Sequence, residues 1–145
     1  MASFKHSVLL PRPPEEVFSW LLEEDKVPQW TSRLHAYDVV GDGPIRSGTR
    51  IHQVLTVKGQ KLDVELEIVA YDPPRAAESR FSLQGVDVAT VYSLAPVGEG
   101  TELTQTLDGT ATSFKARMLL PMVQPHLEGK ITEDLGRLRE LLSSA

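Results

Sequence analysis

At 145 residues and 41% apolar, the chain is near the usual size of one domain and can bury a core of its own. Its formal charge of −5 comes from 20 acidic and 15 basic residues scattered along the sequence, which leaves no basic stripe for phosphates and makes nucleic acid an unexpected partner. Zero cysteines exclude disulfides, thiolate metal sites and a cysteine nucleophile, and fit a reducing compartment, so the cytoplasm is the expected location.

From the N-terminus, Phe4, His6, Val8 and Leu10 alternate with Ser3, Lys5, Ser7 and Leu9, the period of a half-buried strand, which Pro11 stops. Lys5 and His6 also interrupt any signal-peptide core, and no run of about 18 apolar residues follows, so no membrane span is expected. Pro13 and Pro14 precede Glu15, Glu16 and the apolar set Val17, Phe18, Leu21 and Leu22, which predicts a short amphipathic helix ending near Leu22. A further helical turn over Glu23 to Lys26 is expected to stop at Val27-Pro28, with Trp30 at its exit.

Strand-like stretches then occupy 34–40, 49–57, 62–71, 77–83, 86–94 and 101–110, divided by Gly41-Asp42-Gly43-Pro44, Lys58-Gly59, Asp72-Pro73-Pro74, Gly85 and Pro96 to Gly100. The clearest alternation sets Leu62, Val64, Leu66 and Ile68 against Asp63, Glu65 and Glu67, so this sheet has one wet face and one dry face. After Ala111 the period lengthens to that of a helix. Phe114, Met118 and Met122 are followed by Leu127, Ile131, Leu135, Leu138 and Leu142, and Pro121 and Pro125 predict a kink or break between 121 and 125. Seven antiparallel strands need a second layer, and only the terminal helix is long enough to supply it, which makes the fold α+β with the sheet curved around that helix.

This order, together with the residues at its joints, resembles the START-like superfamily, also called helix-grip or birch-pollen-allergen-like, and within it the bacterial polyketide cyclase/dehydrase and lipid-transport group. The resemblance rests on Leu10-Pro11-Arg12-Pro13-Pro14-Glu15-Glu16-Val17-Phe18, Val27-Pro28-Gln29-Trp30, Gly43-Pro44-Ile45-Arg46-Ser47-Gly48-Thr49, Tyr71-Asp72-Pro73-Pro74-Arg75, Gly100-Thr101-Glu102-Leu103-Thr104 and Leu138-Arg139-Glu140-Leu141-Leu142. It implies a single START-like domain over residues 1–145: a seven-stranded curved antiparallel sheet wrapped around a long C-terminal helix, with two short helices after the first strand. It also implies a cavity between sheet and helix of the kind the superfamily uses for sterols, lipids, polyketides and plant hormones. It does not imply one activity, because function lives in the site and not in the fold.

His6 shares the parity of the apolar residues of its strand, so it reads either as an acid, base or ligand anchor or as a core histidine bonded to a backbone carbonyl. His52 and Gln53 have opposite parity, so one of them faces inward, and periodicity does not decide which. Tyr37 and Tyr92 each offer an apolar ring with a polar tip, suited to orienting a ligand or to packing with the hydroxyl at the rim. Trp20 and Trp30 read as core or gate residues, with Trp30 nearer a cavity mouth. Phe114, Met118 and Met122 form an adaptable stripe expected to line a pocket entrance, with Leu127, Ile131 and Leu135 filling the core.

His6, His35, His52 and His126 show no metal-ligand spacing, Glu23-Glu24-Asp25 reads as solvated surface, and no metal or other cofactor is expected. A glycine-rich phosphate loop and a Gly-x-Ser-x-Gly elbow are likewise missing from the sequence. The leading expectation is a module that binds a hydrophobic small molecule (lipid-, polyketide- or aromatic-like) on a dry concave face, as a monomer or homodimer without integral membrane association. The alternative is a polyketide cyclase or dehydratase, with His6 as base and Tyr92 or Tyr37 as hydrogen-bond donor to an enolate. A third reading is a protein-interaction module whose acidic surface meets a basic partner.

Overall fold

A computed structural model describes residues 2–57, 59–83 and 85–143. The elements run β1 (Ala2–Leu10), α1 (Pro14–Phe18), a 3-10 turn (Val27–Gln29), β2 (Leu34–Val40), β3 (Arg50–Val57), β4 (Gln60–Asp72), β5 (Ala76–Leu83), β6 (Val86–Val97), β7 (Gly100–Ala111) and α2 (Phe114–Ser143). All seven strands form one curved antiparallel sheet in the order β1-β7-β6-β5-β4-β3-β2, and α2 covers its concave face.

Pro14 at the first helical position and Glu15 and Glu16 in the first turn start α1, where the missing N–H and the acidic side chains both suit a helix N-terminus. The helix ends at Phe18 and not near Leu22. The Ser19 hydroxyl turns back to donate to the Glu16 carbonyl at 2.6 Å, and Trp20 and Leu21 follow in tighter turns. The chain does turn at Glu23 to Lys26, where the Lys26 and Val27 N–H groups both donate to the Glu23 carbonyl, but the second short helix is the 3-10 turn Val27–Gln29, which starts four residues later than expected and runs through Pro28.

On β4 the buried Val64, Leu66 and Ile68 alternate with the exposed Asp63, Glu65 and Glu67. On β3 the odd residues Ile51, Leu55 and Val57 are buried, so Gln53 faces inward and His52 faces out. The helix packs against β1, β7 and, to a lesser extent, β6. It approaches β7 closely at Gly109, where an added Cβ would lie 2.7 Å from the Gln124 amide oxygen and 3.1 Å from Leu120.

α2 is one unbroken helix from Phe114 to Ser143, so the break expected between 121 and 125 does not occur. Both prolines lie on its exposed side, where water can satisfy the carbonyls they leave without an N–H. The opposite face holds Ala116, Leu120, Val123, Leu127, Ile131, Leu135, Leu138 and Leu142 in the core. Full burial of a leucine such as Leu135 or Leu138 is worth about 1.5–3 kcal/mol, so this face is the main anchor of the helix, whose start is also capped by the Ala116 N–H donating to Ser113 Oγ at 3.1 Å.

Candidate functional site

Because α2 leans toward β1 and β7, it leaves space over the other strands, and a partly open cavity of about 110 Å³ lies there. Its walls come from β2 through β7, from the middle of α2 and from the segment between α1 and β2. Leu21, Leu22, Val27 and Trp30 of that segment, Leu55, Leu66, Phe81 and Leu107 of the sheet, and Leu127 and Ile131 of α2 give it an apolar body.

One part of the lining is polar. Ser79 pairs in register with Thr90, Thr90 with Leu107, and Tyr92 with Gln105, which sets the polar side chains of Ser79, Thr90, Tyr92 and Gln105 side by side on the concave face. Gln53 and Tyr37 are also paired, across β3 and β2. The concave face is therefore not the uniformly dry surface expected from the alternation. Among the described residues, no hydrogen bond engages the side chains of Gln53, Ser79, Thr90, Tyr92 or Gln105, so they remain open to water or to a ligand.

The segment between α1 and β2 is tied down by donors that are already used. Tyr37 Oη donates to the Leu22 carbonyl at 2.7 Å, and Trp30 Nε1 donates to the Trp20 carbonyl at 2.8 Å. Across the cavity, Asp134 Oδ1 accepts from the Ser32 N–H at 2.7 Å and Asp134 Oδ2 accepts from Lys130 Nζ at 2.5 Å. The side chains of Asp134 and Lys130 are 7% and 17% exposed, so this i,i+4 pair is largely withdrawn from water while lining the cavity.

Burial, with the Asp134 carboxylate as the second cause, raises the Tyr92 phenol above its ordinary value near 10. Burial also raises Tyr37, with Tyr92, Glu23 and Glu24 adding to it. Both phenols stay protonated donors through the mildly alkaline range. An unfolded chain loses these protons near pH 10 while the folded chain keeps them, so folding stability is expected to hold below that pH and to fall above it. The slope is about 1.4 kcal/mol per pH unit for each such tyrosine. Urea midpoints measured from about pH 9 to about pH 12 test this, and Tyr37→Phe must flatten the decline; an unchanged slope in that variant contradicts the assignment.

Of the residues singled out in the sequence, Trp30, Tyr37 and Tyr92 come together in the lining, and five others do not. His6 sits on β1, the strand beneath α2, half-buried and stacked on Phe4 with ring centroids 6.5 Å apart. The outward parity of His52 places its Nε2 3.0 Å from Asp63 Oδ1 on the opposite face of the sheet. Phe114, Met118 and Met122 are exposed on the outer side of α2, whereas Leu127 and Ile131 belong to the core as expected and also line the cavity. Counting back from Leu127, the buried face is Val123, Leu120 and Ala116, and the five-residue step to Met122 turns about 140° around the helix. Gln53, left open against His52 in the sequence, is the member of that pair in the lining, whereas Ser79, Thr90, Gln105, Lys130 and Asp134 were missed. The inward parity of polar residues on β5, β6 and β7 was the available signal for Ser79, Thr90 and Gln105, while Lys130 and Asp134 lie on α2, where strand parity does not apply.

Outside the cavity, a wider and shallower hollow runs along charged residues of the sheet, including Arg50, Glu65, Arg80 and Asp108. Among the described residues, no helix is long and apolar enough to cross a membrane, and no cluster of metal-binding side chains occurs.

A curved antiparallel sheet gripping a long terminal helix over an internal cavity defines a helix-grip protein of the START-like, birch-pollen-allergen-like class. The chain belongs to the family described as polyketide cyclase / dehydrase and lipid transport, which matches residues 1–143. Among solved structures it is similar to TTHA0849 from Thermus thermophilus, with a TM-score of 0.80 and 21% identity over 99% of this chain and 100% of that one. It is also similar to Ara h 8.0201, with a TM-score of 0.78 and 17% identity over 99% of each chain. Protein CV1439 from Chromobacterium violaceum gives a TM-score of 0.73 and 19% identity over the whole of both chains. At these identities the structural likeness carries the fold. A search of curated proteins finds no match.

Proposed function

We propose that the chain is a single domain over residues 1–145 that binds a small molecule with a one-ring apolar body and a polar edge in the cavity between sheet and α2. The observation that carries this is the unpartnered polar group of Ser79, Thr90, Tyr92 and Gln105 set against apolar walls. A dry cavity of about 150 Å³ is known to admit benzene, and drug-sized ligands occupy roughly 300–1,000 Å³. A cavity of about 110 Å³ suits a single ring, and a sterol or long acyl chain requires α2 or the Trp20-to-Trp30 wall to move outward.

The catalytic reading has less support. His6, the base expected for it, is not in the lining, and the one lining carboxylate, Asp134, is already held by Ser32 and Lys130. Tyr92 keeps the role of hydrogen-bond donor to a ligand oxygen; Tyr37 is engaged with Leu22.

Phenol and toluene, one ring with and without a hydroxyl, serve as probes. Phenol is expected to bind saturably, read by Trp30 emission and by amide shifts of cavity residues. Tyr92→Phe is expected to weaken phenol about fivefold while leaving toluene unaffected, the value of one hydrogen bond. If neither probe moves those signals, the cavity is not a binding site.

A further inference from the structure

The chain as a whole has more acidic than basic residues, but one strip of it does not. From Ala111 to Leu127 the chain contains no acidic residue, although the whole carries a charge of −5. Within that stretch α2 is apolar on two opposite faces. One face, Ala116, Leu120, Val123 and Leu127, is spent on the core. On the other, Phe114, Met118 and Met122 follow one another at four-residue steps and are 76%, 65% and 49% exposed, with Pro121 and Pro125 beside them. A helix that is apolar all round is normally covered all round, and an exposed stripe of large apolar side chains marks an interaction surface.

The flanks say what covers it. At 100° per residue, Lys115 lies on one side of the Met118 line and Arg117 on the other, and both are exposed. Arg33 adds a third exposed cation, its Nη1 3.4 Å from the His126 carbonyl. None of the three has a carboxylate partner among the described residues. Apolar side chains along the centre with long basic side chains on both borders match a helix lying in the plane of a lipid surface, its cations reaching the headgroups. A protein groove of ordinary composition would not require unpaired cations on both sides, and a second copy of this acidic chain would bring the same cations face to face.

We propose that the outer face of α2 from Phe114 to His126 docks peripherally on an anionic lipid surface, with Phe114, Met118 and Met122 entering the headgroup boundary and Lys115, Arg117 and Arg33 meeting the lipid charges. This does not depend on what the cavity binds. None of these residues lines it.

The test is co-sedimentation of the full chain with phosphatidylcholine vesicles, with and without phosphatidylglycerol. The wild type is expected on the anionic vesicles and largely absent from the neutral ones, with binding that falls as salt rises. Lys115→Glu with Arg117→Glu is expected to lower anionic binding about twenty-five-fold or more, given about fivefold for each basic residue near such a surface. Phe114→Ser with Met118→Ser is expected to lower it about tenfold while leaving the thermal midpoint and phenol binding unchanged, because both side chains are exposed. Equal binding to both vesicle types, or none to either, overturns the proposal. So does a dimer in sedimentation velocity that Met118→Ser dissolves, since the stripe would then be covered by a second copy.

Discussion

Asp134→Ala is expected to lower folding stability by about 3–5 kcal/mol, the usual consequence of removing one member of a buried, hydrogen-bonded ion pair. Three losses coincide. Lys130 Nζ is left with its charge largely out of water, the Ser32 N–H loses its acceptor, and the segment before β2 loses one of its ties to α2, keeping those of Arg137 to the Gln29 carbonyl and Arg33 to the His126 carbonyl. Asp134→Asn separates these effects. Its amide oxygen can still accept from Ser32, so about half of the loss should be recovered if backbone anchoring matters as much as charge neutralisation. Urea unfolding of both variants gives the comparison, and a change below about 1 kcal/mol in Asp134→Ala would show that water, not Asp134, satisfies Lys130.

Thr90→Phe is expected to reduce phenol binding about a hundredfold or more while the protein still folds, because a ring carried by this residue fills the space a ligand would occupy. Thr90 lies between Ser79 and Leu107 in the register and belongs to the polar part of the lining, so its side chain extends into free volume and not into packed core. Isothermal titration with phenol measures the loss, and retained far-ultraviolet circular dichroism shows that folding survives. Undiminished binding in this variant would place the probe somewhere other than the cavity.

Much of the fold is legible in the sequence because strand parity and turn residues are local signals. The alternation of Val64, Leu66 and Ile68 with Glu65 and Glu67 needs no partner to be read. The phase of α2 is harder to read, since Met118 and Leu120 are both apolar and only packing decides which one faces the sheet. Reading the large residues as the buried set inverts the first half of the helix. The cavity is legible only through resemblance: its existence depends on α2 leaning toward β1 and β7, a tertiary choice with no periodic signature. Lys130 and Asp134 look like any solvated i,i+4 pair until the segment carrying Ser32 is laid over them.

The placement of β1 beside β7 has a consequence for how the molecule is made. Ser7 and Thr104, whose hydroxyls meet at 2.8 Å, lie 97 residues apart in the chain. At roughly 5–20 residues per second on the ribosome, the first strand emerges and waits about 5–20 s before its hydrogen-bonding neighbour exists. During that interval its outward Lys5 and the polar Ser3 and Ser7 are what discourage pairing with another nascent chain.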